Sequence, residues 1–298
     1  MQIDGKEVQI SGRLIRIASV AEGYEHVDDP RSFCVLLRES GHTADLFTFI
    51  QRLSDTSSEV AYSVETDNLA VVPVSTFDHW FTQQIGNKTR NLIRKAEKGG
   101  VSVREVPFDD SLVAGIAVLN NESPIRQNRP FWHYGDDLDT VRRTNGSFRD
   151  RSVFLGAFFE GDLIGYVKLT SDERHQQAGL MQIMSMIRHR DKAPTNMLVA
   201  HAVRSCAERG IPYLWYARFS YGSKKPDSLA DFKRHNGFCK ADVPRYYVPL
   251  TRAGALALSL GLHHGLPNYL PESFMDKVRQ VRNRWYDARF RSAKKSVV

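Results

Sequence analysis

Cysteine is scarce in this 298-residue chain: Cys34, Cys206 and Cys239 stand far apart, with no C-x-x-C pair and no metal-type spacing. That excludes a disulfide framework and a thiolate zinc site, and it fits thiols that pack in a reducing compartment. Long apolar runs are missing too. Runs such as residues 69–74 and 255–262 fall far short of the roughly 20 residues that span a bilayer. Residues 1–10 mix charged and apolar side chains without a secretory pattern, so a soluble, cytoplasmic chain is expected. There is no internal repeat or low-complexity tract. Ser-His-Asp, H-E-x-x-H and Walker patterns are also lacking, which leaves hydrolase, zinc-protease and nucleoside-triphosphatase readings without support.

What is present is positive charge, unevenly spread. Residues 1–80 hold six Lys and Arg against thirteen Asp and Glu, or −7; the overall +7 therefore leaves +14 for the remainder. Most of the excess lies in residues 88–104 and 277–295. Such a balance suits anionic partners: a phosphate-bearing cofactor, RNA or a lipid headgroup. A solvated face and a basic tail would produce the same count.

Apolar periodicity predicts strands over residues 8–20, 33–37, 61–64 and 69–74, with a short helix over 44–53. Residues 76–99 read as one long helix stopped by Gly99-Gly100. Then come a strand (101–106), a helix (110–122) capped by Asp109 or Asp110, and a polar aromatic loop (123–137) leading to a helix (137–144). Residues 153–160 and 163–170 form a hairpin about Gly161-Asp162. A strand (179–187), a helix (194–209) with Pro194 at its start, a strand (212–219), a helix (228–235) and a strand (245–250) follow. The last 45 or so residues look helical and amphipathic, a tail that would permit a homodimer. The fold class is α/β, more fully an α+β mixed sheet covered by helices on both faces.

Two segments resemble a known group. Asn87-Lys88-Thr89-Arg90-Asn91-Leu92-Ile93-Arg94-Lys95-Ala96-Glu97-Lys98-Gly99-Gly100-Val101 is similar to the basic R-x-x-I-R-K-A-x-K-x-G-V helix of FemAB-type transferases. Leu229-Ala230-Asp231-Phe232-Lys233-Arg234-His235-Asn236-Gly237-Phe238 resembles that group's L-x-x-F-K-x-x-x-G-F segment. The resemblance covers about residues 76–250 and implies a GNAT-like acyltransferase fold. Residues 1–75 would be a truncated or divergent GNAT-like half, 76–250 the catalytic domain and 251–298 a basic helical extension.

The resemblance further implies direct acyl transfer in a ternary complex, without metal or covalent enzyme intermediate. The donor would be acetyl-CoA or another acyl-CoA, and the acceptor an amine or hydroxyl of a small molecule or an envelope or polysaccharide precursor. One alternative keeps the fold and takes aminoacyl-tRNA. Another is a non-catalytic scaffold that binds anionic lipid or nucleic acid. The expected donor segment, residues 188–196, has no glycine where the family uses R/Q-x-x-G-x-G/A. It still offers a helix N-terminus and the side chains of Arg188, Arg190, Lys192, Thr195 and Asn196, with Gln182 on the preceding strand.

The loop 121–134 concentrates recognition groups: Glu122, Arg126, Gln127, Arg129, Trp132, His133 and Tyr134. Bulky groups cost entropy to order, so either they bind the acceptor or the loop caps the core. Acyl transfer needs a base, for which Glu122 and His133 are the candidates, and oxyanion donors, expected from backbone N–H groups of residues 183–186. Tyr216 could reprotonate the leaving thiolate or ribose oxygen, or be half-buried sheet packing, and Lys233 joins the substrate contacts through the family motif. Arg90, Arg94 and Lys98, with Lys88, form a helical stripe that suits a polyanion or a solvated face. Met181, Met184 and Met186 read as core.

Overall fold

The computed structural model describes residues 1–55, 62–127, 129–220 and 228–264. Its first segment gives a small hairpin, β1 (Gln2–Ile3) with β2 (Lys6–Glu7), then β3 (Gln9–Ser11) and β4 (Ile17–Ser19). The single strand expected over 8–20 is thus two antiparallel strands. Gly12 (φ +93°) makes the reversal, and a Cβ there would meet the Ile15 carbonyl at 2.0 Å.

Two further expectations are reversed. Residues 33–37 lie in a helix, α1 (Pro30–Glu39), because Asp29 caps the N–H groups of Arg31 and Ser32 and Pro30 pre-sets the first turn. Phe33, Cys34 and Leu37 then share a buried face while Val35 and Leu36 stay exposed, a helical rather than a strand split. Residues 44–53 hold a strand, β5 (Leu46–Ile50), buried at every position. A short, uniformly apolar run has no period to separate helix from strand. The expected strands over 61–64 and 69–74 are one strand, β6 (Ser63–Pro73), with residue 61 outside the described residues.

The long helix over 76–99 is broken. α2 (Phe77–His79) runs into a π turn, Trp80–Gln84; Ile85 is extended, and α3 (Asn87–Lys98) starts afresh. Next come β7 (Ser102–Val106), α4 (Asp110–Asn120, capped by Asp109), the small hairpin β8 (Ile125–Arg126) and β9 (Arg129–Pro130), and α5 (Leu138–Asn145, capped by Asp137). β10 (Ser152–Phe159) and β11 (Asp162–Ser171) form the expected hairpin, followed by β12 (Ala178–Ser185). A 3-10 turn, Ile187–Lys192, leads to α6 (Pro194–Glu208), β13 (Tyr213–Trp215), α7 (Ser228–His235), β14 (Cys239–Pro249) and α8 (Arg252–Ser259). A last 3-10 turn covers Leu262–His264, and the basic run 277–295 lies outside the described residues.

Ten strands form one mixed sheet in the order β3-β4-β5-β14-β6-β13-β12-β11-β10-β7. Among the described residues, only β4–β5 and β12–β13 pair in parallel within it. Neighbouring β11 residues show which helices cover which face: Tyr166 reaches Asn145 of α5, while Gly165 lies against Leu198 of α6. β6, from the first 75 residues, sits between β14 and β13, which both lie in residues 76–250.

Candidate active site

The parallel pair β12–β13 makes only two register contacts, Ala178↔Leu214 and Gly179↔Trp215. Beyond them the strands part. Tyr216 N–H turns to Ala70 O (2.8 Å) and Ala70 N–H to Ala217 O (3.0 Å), so the chain follows β6 and leaves β12. Ala217, at φ +49°, completes the turn. On its other edge β12 bulges: Lys168 pairs with Gln182 but Leu169 with Leu180, leaving Met181 extra. The β12 edge facing the gap thus makes no ladder pair beyond Gly179 among the described residues. Gly179 is required there, because a Cβ would lie 2.6 Å from the Trp215 indole.

Residues from both motif segments meet beside this gap. The Lys233 ammonium, fully buried, lies 4.7 Å from the Tyr216 ring centroid and donates to Arg218 O. Tyr216 also contacts Phe238, at 6.1 Å between ring centroids. α3 and the π turn hold the end of α7: Thr89 donates to His235 O (2.9 Å) and Trp80 Nε1 to Asn236 O (3.1 Å). Asn196, at the start of α6, donates to Asn236 Oδ1 (3.0 Å). The first segment therefore buttresses the second.

The 121–134 loop docks on the end of β12, but Glu122 is not presented there as a free base. Its carboxylate accepts from Ile187 N (2.6 Å), Arg188 N (2.9 Å) and Arg126 (3.0 Å). Arg126 in turn donates to Ser185 O (2.8 Å) and Leu119 O (2.9 Å) and stacks on Phe131 at 5.0 Å. Burial lowers its pKa, and Arg190 adds to the shift against the pull of Glu122. His133 pairs through Nδ1 with Asp136 (3.0 Å) on the loop itself. Gln127 (φ +51°), Arg129, Trp132 and Tyr134 are exposed, Trp132 at 85%.

The expected donor residues are largely engaged with other residues of the protein. Thr195 Oγ1 is 2.7 Å from Ser185 Oγ, Lys192 lies 4.0 Å over the Phe159 ring, and Arg188 Nε reaches His189 at 3.3 Å. Gln182 accepts from Tyr166 (2.8 Å), whose hydroxyl also reaches Asn145 (3.1 Å), on the α5 face. Arg190 is exposed. In the helical stripe, Arg90 donates to the carbonyls of Phe81, Thr82 and Ile85 and to Asn87, so it caps the π turn. Arg94 packs 5.4 Å over Phe81, while Lys88, Lys95 and Lys98 are exposed. Lys95 and Lys192 line a cavity of ≈ 110 Å³ between α3 and the 3-10 turn.

Sequence reading passed over Lys168, which is fully buried in β11. It donates to Asn145 O and to both oxygens of Ser147, and burial lowers its pKa to about 8. A lysine between Val167 and Leu169 in an otherwise apolar strand was the available signal.

No family model and no curated protein matches the sequence. Solved structures do match by fold. FemX aligns with a TM-score of 0.61 at 9% identity over 85% of this chain and 86% of its own. The C-terminal domain of a putative lysylphosphatidylglycerol synthetase from Agrobacterium fabrum aligns at 0.52 and 15% identity, over 85% and 87%. L-PGS from Bacillus licheniformis aligns at 0.52 and 14%, over 82% and 81%. The chain therefore shares the fold of FemX and of these synthetase structures, a likeness carried by architecture and not by sequence.

Proposed function

We propose that this chain is an acyltransferase that moves an aminoacyl group from the ester of a charged RNA to an amine or hydroxyl acceptor, by direct attack in the β12–β13 gap. The carrying observation is the unpaired β12 edge beyond Gly179, with Tyr216 and Lys233 set beside the gap. Backbone N–H groups on that edge can hold the acyl carbonyl and its tetrahedral oxyanion. The Tyr216 hydroxyl would protonate the leaving ribose oxygen and recover its proton from the attacking amine or hydroxyl, and the Lys233 ammonium would offset the developing negative charge. The acceptor would enter from the side of the 121–134 loop. There Glu122 and Arg126 brace the β12 end, and Gln127, Arg129, Trp132 and Tyr134 offer exposed contacts.

RNA is favoured over CoA by how the donor segment spends its groups. Thr195 and Asn196 are bonded within the protein, Lys192 is stacked, and the Ile187 and Arg188 N–H groups are taken by Glu122. Exposed Arg94, Lys95, Lys98, Arg188 and Arg190 would serve an extended phosphate backbone. One of the fold neighbours is named as part of a putative lysylphosphatidylglycerol synthetase, whose product carries an aminoacyl ester. Acyl-CoA stays as a second reading, because the cavity under Lys95 and Lys192 could take a phosphate.

Filter binding and single-turnover transfer with charged tRNA and with acetyl-CoA test the assignment. The expected result is salt-dependent tRNA affinity and a loss of transfer in Tyr216→Phe of about 100-fold or more, the lower bound for a proton-transfer group. Saturable acetyl-CoA turnover without tRNA binding would replace the donor. Unchanged turnover in Tyr216→Phe would remove Tyr216 from the chemistry.

A further inference from the structure

We propose that Glu65, His263 and His264 form a site for one divalent transition-metal ion of the zinc class, separate from the acyl-transfer gap. Glu65 projects from β6, and the two histidines come from the 3-10 turn that follows α8. One ligand atom from each lies within 4.8 Å of the other two. Both imidazoles aim Nε2 at the same oxygen: His263 lies 2.7 Å and His264 3.0 Å from Glu65 Oε1. In a tetrahedral zinc site with bonds near 2.0–2.1 Å, ligand atoms stand about 3.3 Å apart. The two imidazole–carboxylate distances need only a slight opening to reach that spacing.

The local chemistry supports a cation. Arg245 is opposite Glu65 in the β14–β6 register, yet its guanidinium is committed to Glu22 and Asp67. The ring of His263, 3% exposed, is wedged at 4.6 Å against Tyr247, and its Nδ1 has no hydrogen-bond partner. A single imidazole would satisfy one carboxylate oxygen; here two rings crowd to a centroid separation of 4.0 Å to share it. Two neutral imidazoles and one carboxylate suit Zn²⁺, Co²⁺ or Ni²⁺, with the remaining positions open to water. Such an ion would clip the α8 extension to the middle of the sheet.

The test uses the untagged full-length chain, stripped with EDTA and titrated with Zn²⁺ at pH 7.5 in a calorimeter. One equivalent should bind. Glu65→Gln and His264→Ala should each weaken binding by more than about 100-fold, beyond the 10- to 100-fold that outer-shell partners cost. His264 is 40% exposed, so its variant should keep the wild-type circular dichroism. Co²⁺ in place of Zn²⁺ should give visible d–d absorption in the wild type and lose it in both variants. Three outcomes overturn the site: no saturable Zn²⁺ binding, equal binding by wild type and both variants, or a melting temperature that falls in Glu65→Gln identically with EDTA and with Zn²⁺. The last would make the cluster a hydrogen-bonded clasp only.

Discussion

Around α4, α5 and α6 the sheet is sealed by apolar side chains, among them Leu112, Ile116, Leu119, Leu198, Val199 and Val203. Around residues 20–28 it is sealed by charge. Arg245 of β14 binds Glu22 and Asp67, and Arg218 reaches the same Asp67 oxygen at 2.9 Å. Arg52 joins Asp172 (3.1 Å), Asp28 (2.6 Å) and Glu173 (3.3 Å). Each arrangement buries its sheet, but they fail differently. Apolar contacts are lost by increments, whereas removing Arg245 or Arg52 leaves a buried carboxylate, Asp67 or Asp172, without its main partner.

The largest effect is expected at that network. Arg245→Met should cost up to about 3–5 kcal/mol, the range for a broken buried pair, because buried Asp67 would keep its charge with only the half-exposed Arg218 beside it. Urea denaturation measures it, and a loss under 1 kcal/mol would erase the contrast between the two regions. Next comes an acid effect at His26, which is 2% exposed with neither ring nitrogen hydrogen-bonded. Burial, then Arg52, lowers its pKa from 6.5 to about 4 against the pull of Asp172. Between those values the unfolded chain takes up a proton that the folded chain refuses. Stability is therefore lost as pH falls from 6.5 toward 4, by up to about 1.4 kcal/mol per pH unit. His26→Leu should flatten that limb in melts taken across the range, and an unchanged slope would assign it to the carboxylates alone.

A smaller effect, about 1 kcal/mol and independent of pH, is expected for Ile116→Val in the apolar region. The smallest is at the surface. Arg142 and Asp110 are 46% and 90% exposed, and Arg142→Ala should stay within about 0.5 kcal/mol by the same melts.

The sequence was most legible where local chemistry and burial agree. Asp109 caps its helix, Gly161 turns its hairpin and Pro194 opens α6, all as the sequence implied. It was least legible in residues 30–50. There the Asp29-Pro30 cap outweighed an apolar run, and a fully buried strand showed no alternation. At the site, Lys233 and Tyr216 could be nominated from the motif and the strand, and the structure sets them together. The engagement of Glu122 with Ile187 and Arg188 could not be foreseen, since it joins segments 65 residues apart that share no pattern. The His263–His264 cluster was hidden similarly, its third member lying 198 residues away.

The position of β14 has a consequence for how the chain is made. Residues 239–249 lie between β5 and β6, strands whose residues leave the ribosome far earlier. Until then β5 and β6 have no partner between them, and Phe47 and Phe49 lack Tyr246. The amino-terminal third of the protein is thus synthesised first and completed last. A nascent chain arrested before residue 239 should expose that third to protease while α4 to α6 resist, and the full chain should not.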